Sequence, residues 1–287
     1  MAIRFEKVNH FYEKPKKGIL SLAAINDINL SIKSQGEFVT IVGHTGSGKS
    51  TLLQHINGLL LPTDGLVYID DLVLTKKKRK NPKLKPIRKN IGFVFQFPEY
   101  QLFEETVIKD IIYGPKNFGM DQEEAVKNAK QVAEELNISN ILEKSPFNIS
   151  GGQMRKVAIA GILAYHPEIL LLDEPTRGLD PLGAKEIMTF FKELQVKENK
   201  TIIMITHDMD LVYEYSTRVV VMDQGRIVYD GDKETLFKEE YKNHHLTKPK
   251  ILEAIDFINE STGRNIGYNN YTLDDLLKSL KDGDFNE

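Results

Sequence analysis

The segment Gly43-His44-Thr45-Gly46-Ser47-Gly48-Lys49-Ser50 fits the pattern G-x-x-x-x-G-K-S/T, and the chemistry it suits is gripping a polyphosphate. Its glycines let backbone N–H groups close around phosphate oxygens, and a helix beginning at its end adds partial positive charge. Lys49 is expected to reach the β- and γ-phosphates of ATP, and the Ser50 hydroxyl to bind Mg2+, with Thr51 next in the cradle. A second candidate is Ile169-Leu170-Leu171-Leu172-Asp173-Glu174, an apolar run that ends in two carboxylates. Beside a phosphate-binding loop, Asp173 stands where the acid that holds Mg2+ is expected, and Glu174 is then placed to polarise an attacking water as general base. A third is Ser150-Gly151-Gly152-Gln153, ahead of a helical pattern. It reads either as a second anion site, by the same physics, or as a helix cap alone; spacing leaves that choice open.

These residues need elements to hold them. Phe38–Val42 is a short apolar run followed by the glycine-rich turn and a helical pattern from Ser50 to Asn57, a strand–loop–helix unit. Ile169–Leu172 and Ile202–Ile205 are continuous apolar runs of the kind expected of parallel strands covered on both faces. Val219–Met222 and Arg226–Tyr229, joined at Gln224-Gly225, read as a hairpin. Residues 121–137 and 151–165 read as helices, the first opening at Asp121, so roughly 100–167 is expected to be a helical subdomain inserted in an α/β core. Lys76–Lys89 carries nine Lys/Arg and no acid. It reads as a solvated loop, with contact to anionic lipid head groups as the sharper alternative. After about residue 238, Ile251, Ala254, Ile255 and Ile258 form one apolar stripe; Leu273, Leu276, Leu277 and Leu280 form another, behind a Thr272/Asp275 capping pair. Such stripes pack on their own domain or serve a partner.

Composition narrows the classes. The chain has 287 residues, 41% hydrophobic and 28% charged, enough for one large domain with a small extension. A net charge of −3 argues against a general nucleic-acid binder. With no cysteine, disulfides, thiolate metal sites and cysteine nucleophiles are excluded. The N-terminal residues lack the apolar core of a secretion signal, and no apolar run approaches the ~20 residues of a membrane span. His44, His55, His166, His244 and His245 lack companions at metal-ligand spacing, so nucleotide-bound Mg2+ is the one metal expected.

Taken together, the P-loop, Gln96, Ile149–Gln153, Leu170–Glu174, Gly178-Leu179-Asp180 and Thr206-His207 resemble, in order, the motif set of an ATP-binding cassette (ABC) ATPase over residues 1–237. That resemblance implies a P-loop α/β core with an antiparallel β subdomain, a helical subdomain and, over 238–287, a short helical extension. It implies a head-to-tail dimer in which each ATP lies between one chain's P-loop and the other's Ser150–Gln153. Tyr12 would stack on adenine, Gln96 would touch Mg2+ or the water, His207 would hold the γ-phosphate, and Asp180 would contact the opposite subunit. Gln54–Pro62, Phe95–Phe103, Ser145-Pro146-Phe147, Gly151–Arg155 and Val157–Gly161 further resemble the A-prime ATPase of energy-coupling factor (ECF) transporters, which import vitamins and related micronutrients. By that resemblance the partners are a second, different ATPase, a transmembrane T subunit received by the segment after Gln96, and a substrate-binding S subunit, at the cytoplasmic face of the membrane. Two departures stand out: Ile149 replaces the usual Leu, and Arg177 stands where a small residue is commoner. A classical importer ATPase and an ABC ATPase acting on nucleic acid or ribosomes are the alternatives. The latter usually has long coiled coils or two cassettes, and neither is present here.

Overall fold

The structure, a computed structural model, describes residues 2–13, 23–33, 36–77, 83–268 and 272–282. Chain order begins with β1 (Ala2–His10), β2 (Ile25–Lys33), β3 (Phe38–Val42), α1 (Lys49–Ile56), β4 (Asp64–Ile69), β5 (Leu72–Leu74), α2 (Leu84–Asn90) and β6 (Ile91–Val94). Then come α3 (Val107–Asn117), α4 (Gln122–Glu135), α5 (Gly151–Leu163), β7 (Ile169–Asp173), α6 (Pro181–Lys197) and β8 (Thr201–Ile205). The rest is α7 (Met209–Tyr215), β9 (Arg218–Asp223), β10 (Arg226–Gly231), α8 (Lys233–Thr235), α9 (Lys250–Thr262) and α10 (Leu273–Asp282).

The continuous apolar runs lie in a sheet ordered β10-β9-β3-β8-β7-β6, parallel except for the β9–β10 hairpin. They are apolar throughout because both faces are covered. Leu170, Leu172, Ile202 and Met204 enter one core with α3, α4, α5 and α6, while their neighbours Ile169, Leu171, Ile203 and Ile205 enter the other. That second core is shared with α1 and with an antiparallel sheet ordered β2-β1-β4-β5. The mixed α/β architecture expected of a P-loop ATPase with an antiparallel sheet is therefore observed. Because β3, β8 and β7 are neighbours, their carboxyl ends bring three distant stretches of sequence side by side, where α/β sheets bind ligands.

Three local readings change. The basic stretch is not all loop: α2 occupies Leu84–Asn90, with Ile87 buried, because Leu84 and Ile87 fall on one helical face. Arg88 there donates to the Asn57 and Gly58 carbonyls at the end of α1, at 3.5 and 3.2 Å, so this cation is structural rather than lipid-facing. Residues 78–82 of that stretch lie outside the described residues. In α9 the buried pair is Leu252 and Ile255, while Ala254 is exposed. Ile251 and Ile258 are half-buried against the same core, so the expected stripe holds except at Ala254, and Leu252 joins it. In α10 Leu276 is buried and Leu280 half-buried, but Leu273 and Leu277 are exposed. Leu252, Ile255, Ile266 and Leu276 pack with Val42 of β3, α7 and β9. The Thr272/Asp275 pair does cap α10, in both directions.

Candidate functional site

The loop after β3 takes its shape from close backbone approaches. Gly43, at φ +137°, leaves a Cβ only 2.1 Å from the Met222 carbonyl of β9, and Gly48, at φ +101°, one 2.3 Å from the Ala24 carbonyl. A side chain at either position would push the loop off both sheets, so the glycines are required by contact as well as by φ. Lys49, buried at the start of α1, donates from Nζ to the carbonyls of Gly43 and His44, each at 2.8 Å. Burial lowers its pKa, and Glu174 and then Asp173 oppose that shift. The ammonium is thus held in charged form where a phosphate would lie.

A cleft of about 380 Å³ opens here, lined by Tyr12, Ala24, Thr45, Gly46, Gly48, Lys49, Ser50, Thr51, Gln96, Asp173, Glu174, Arg177, Ile205 and His207. It gathers residues from four strand ends. Gly43 and Ser47 support the loop from behind, and His44 turns to Asp223, with Nε2 2.8 Å from Oδ1. Asp173 ends β7, hydrogen-bonded to Ser50, and burial raises its carboxyl above the ordinary range. Glu174 follows at φ +49°, a left-handed conformation that costs roughly 1–3 kcal/mol and clusters at functional sites. Burial, then Asp173, raise its carboxyl. Its Oε1 lies 3.3 Å from His207 Nε2 yet is buried without a hydrogen-bond partner. His207 is itself lowered, by burial first and then by Lys49 and Arg177, so near neutral pH the contact is not an ion pair. An unsatisfied acceptor beside a neutral imidazole is a place for a water.

Tyr12 is two-thirds exposed, its hydroxyl 2.9 Å from Thr51 Oγ1 on α1 and its ring edge-on to His10 at 5.0 Å. Ser150, Gly151, Gly152, Gln153 and Asp180 are not walls of this cleft. Ser150 and Gln153 close a reciprocal capping box at the start of α5, and Asp180 caps α6 through the Gly183 N–H at 2.8 Å. The added Cβ of Gly151 or Gly152 would meet nothing within 4 Å. Within one chain these caps thus stay outside their own P-loop cleft and leave a bare, glycine-smooth helix start.

Sequence reading missed one residue that structure makes central. Arg155, 3% exposed on α5, donates from Nη1 to the carbonyls of Pro175 (3.1 Å) and Arg177 (2.6 Å) and from Nη2 to that of Gln96 (2.9 Å). Its Nε lies 3.5 Å from Glu99. The sequence signal was an arginine two positions beyond Gln153, just ahead of the apolar run Val157–Ala160. After Gln96, Leu102 is half-buried against the helical core, whereas Phe97, Tyr100, Phe103 and Tyr113 are exposed. Phe97 stacks near Tyr100 at 5.7 Å and Phe103 edge-on to Tyr113 at 4.8 Å.

Comparison with known proteins gives relatives over nearly the whole chain. The family model described as ABC transporter matches residues 25–177. The chain is 50% identical over 256 residues to the energy-coupling factor transporter ATP-binding protein EcfA2 of Ligilactobacillus salivarius, covering 88% of this chain and 87% of that one. It is 45% identical to the protein of the same name from Clostridium tetani, over 98% of this chain and 96% of that one. Among solved structures, cbiO1 of Clostridium perfringens, part of the ABC transporter complex cbiONQ, superposes with a TM-score of 0.73 at 34% identity, covering 91% and 96% of the two chains. A dimeric post-hydrolysis state of the ATP-binding cassette MJ0796, bound to ADP and Pi, gives a TM-score of 0.69 at 33% identity, covering 80% and 98%.

Proposed function

The chain belongs to the ABC transporter family of ATP-binding, ATP-hydrolysing subunits, and from that premise we propose that it is the ATPase of an energy-coupling factor transporter, powering import of vitamins or related micronutrients. The observation that carries this reading is an ATP cleft at neighbouring strand ends with an exposed aromatic cluster beginning one residue after Gln96. In it Lys49 offsets the β- and γ-phosphates, Glu174 takes the proton of the attacking water, His207 holds the γ-phosphate, and Tyr12 stacks on adenine, a contact worth roughly 1–3 kcal/mol per base. Support for Glu174 as base is its raised carboxyl, since a general base works best with a pKa drawn towards the operating pH. Support for Tyr12 is its exposed ring, anchored at the hydroxyl and at one edge.

Ser50, Gln96 and Asp173 are hard oxygen donors lining the same cleft, the ligand chemistry Mg2+ prefers, and they would hold the ion. When bound, it supplies positive charge against the phosphate oxygens. Ser150, Gly151, Gly152, Gln153 and Asp180 complete the ATP site of a second, homologous ATPase, a different chain in preference to a copy of this one. The support is that they do not line the chain's own cleft and that their helix start is bare.

No helix among the described residues is long and apolar enough to cross a membrane, so a transmembrane T subunit and a substrate-binding S subunit supply the path. The chain then lies peripherally on the cytoplasmic face, with residues 1–237 as the ATP-binding domain, about 100–167 as its helical part, and 238–287 as the pairing extension. Phe97, Tyr100 and Phe103 are the contact for the T subunit; Leu102, which packs inward, is not. Buried aromatic anchors at interfaces typically cost ~2 kcal/mol or more on truncation. Affinity purification of the full chain from its native membrane, with mass spectrometry, is expected to recover a second ATPase and membrane subunits. Tyr100→Ala with Phe103→Ala should detach the membrane subunits and stop uptake while ATP binding persists. Recovery of no membrane protein would remove the transport assignment, and intact uptake in the double variant would place the T-subunit contact elsewhere.

A further inference from the structure

Arg177 departs from the family pattern, and the structure gives the departure a place. It is exposed yet lines the P-loop cleft together with Lys49, Gln96, Glu174 and His207. Its guanidinium rests 5.8 Å over the Phe97 ring and makes no ion pair among the described residues. Its backbone is fixed, because the carbonyl accepts from buried Arg155 at 2.6 Å. An anchored backbone with a side chain resting on a half-exposed ring describes a cation that can swing. A cation–π contact at such a site is weak beside a charge-assisted bidentate bond to a phosphate. Among the described residues, the charged side chains of the cleft are two cations, Lys49 and Arg177, against two carboxylates, Asp173 and Glu174. Without Arg177 those described groups would carry an excess negative charge towards a polyphosphate.

We propose that Arg177 is a catalytic residue supplied by the chain's own site: it leaves Phe97, binds the terminal phosphate of ATP, and stabilises the charge on that group during transfer. The inference rests on reading the P-loop cleft as the ATP site. In the step itself the water oxygen bonds to the terminal phosphorus as the bond to the bridging oxygen of ADP breaks. The water's proton passes to Glu174, and the guanidinium stays protonated, forming and breaking no covalent bond. A phosphate ligand here also explains why an arginine, with its planar fork, fits where a small residue is commoner.

The test uses the full chain in its native assembly. Arg177→Ala, Arg177→Lys and Lys49→Ala are compared by steady-state turnover, and each is compared again for ATP and ADP binding in a Glu174→Gln background, where turnover is blocked. Arg177→Ala is expected to lose roughly 10²–10³-fold in kcat, the range for one preorganised charge-stabilising donor. Its ATP affinity should fall about tenfold, as for one charged hydrogen bond, while ADP affinity is unchanged. Arg177→Lys should recover part of both losses. Unchanged kcat with unchanged ATP-over-ADP preference would overturn the proposal. So would an equal loss of ATP and ADP binding, which marks a general structural effect. Lys49→Ala separates the two levels of argument: if it too leaves ATP binding intact, the reading of the cleft fails rather than the role of Arg177 alone.

Discussion

Glu174 is held in a left-handed backbone conformation directly after a buried strand, with one carboxylate oxygen buried and unpartnered. That combination is costly and stays only because β7 and the neighbouring β8 fix it; the Glu174 N–H donates to the Ile205 carbonyl at 3.0 Å. Glu174→Gln keeps the shape and removes the proposed base, and is expected to reduce turnover by ~10²–10⁴-fold while ATP still binds. Lys49→Ala, in contrast, should show its loss in ATP affinity, read by nucleotide titration. The pH dependence follows from the sign of the shift. The base acts only when ionised, and burial raises its carboxyl, so kcat should fall with decreasing pH at a higher pH than an ordinary glutamate would give. That acid limb should vanish from the residual rate of Glu174→Gln. A limb unchanged in position in Glu174→Gln would assign it to another group. The pair Asp173-Glu174 was readable from sequence because strand end and motif coincide. The strained φ and the orphaned oxygen were not, since both depend on β8, some thirty residues on.

At the scale of elements, α1 and α5 carry more than their motifs show. Behind Tyr12, His10 stacks edge-on against His55 of α1 at 4.8 Å, and His55 Nδ1 lies 2.7 Å from the Thr51 carbonyl. Burial pulls the His55 pKa from 6.5 to about 4, so the unfolded chain binds the extra proton first. Stability from this group is therefore complete above pH ~6.5 and is lost as pH falls towards 4, by on the order of 3 kcal/mol. His55→Leu is expected to flatten that loss in thermal melts between those pH values; an unchanged slope would place the proton elsewhere. On α5, Arg155 holds Gln96 and the Pro175–Arg177 loop to the helix that begins at Ser150. Arg155→Met leaves those carbonyls unpaired, at ~1–3 kcal/mol each. It should lower the melting temperature and slow turnover, with Arg155→Lys recovering little because one ammonium cannot reach both loops. Equal melting of Arg155→Met and the parent would refute the clamp. Strands and capped helices were legible because their signals are local: apolar runs, Asp121 as cap, Gln224-Gly225 as turn. The helix α3 was not, having Gly114-Pro115 inside it and no side-chain cap. Nor were the Arg155 and His10–His55 contacts, which join positions 20 to 59 residues apart.

At the scale of the molecule, the extension is neither a free tail nor fully used. Leu252, Ile255, Ile266 and Leu276 are buried against α7 and β9, while Phe257 is 71% and Leu273 64% exposed. Truncation after Thr247 should therefore have two effects. Exposing the Met209–Tyr213 surface lowers the melting temperature, and losing Phe257 and Leu273 weakens pairing of the ATPases in analytical ultracentrifugation. A loss of stability with unchanged pairing would leave the extension a purely internal element. The bare start of α5 has a further consequence for supply. On the proposed pairing, in which Ser150–Gln153 serve another chain's nucleotide, a lone polypeptide owns two half-sites and no whole one. Turnover per chain should fall on dilution, and a cell that overproduces only this subunit should gain no ATPase, because output follows whichever member of the pair is scarcer.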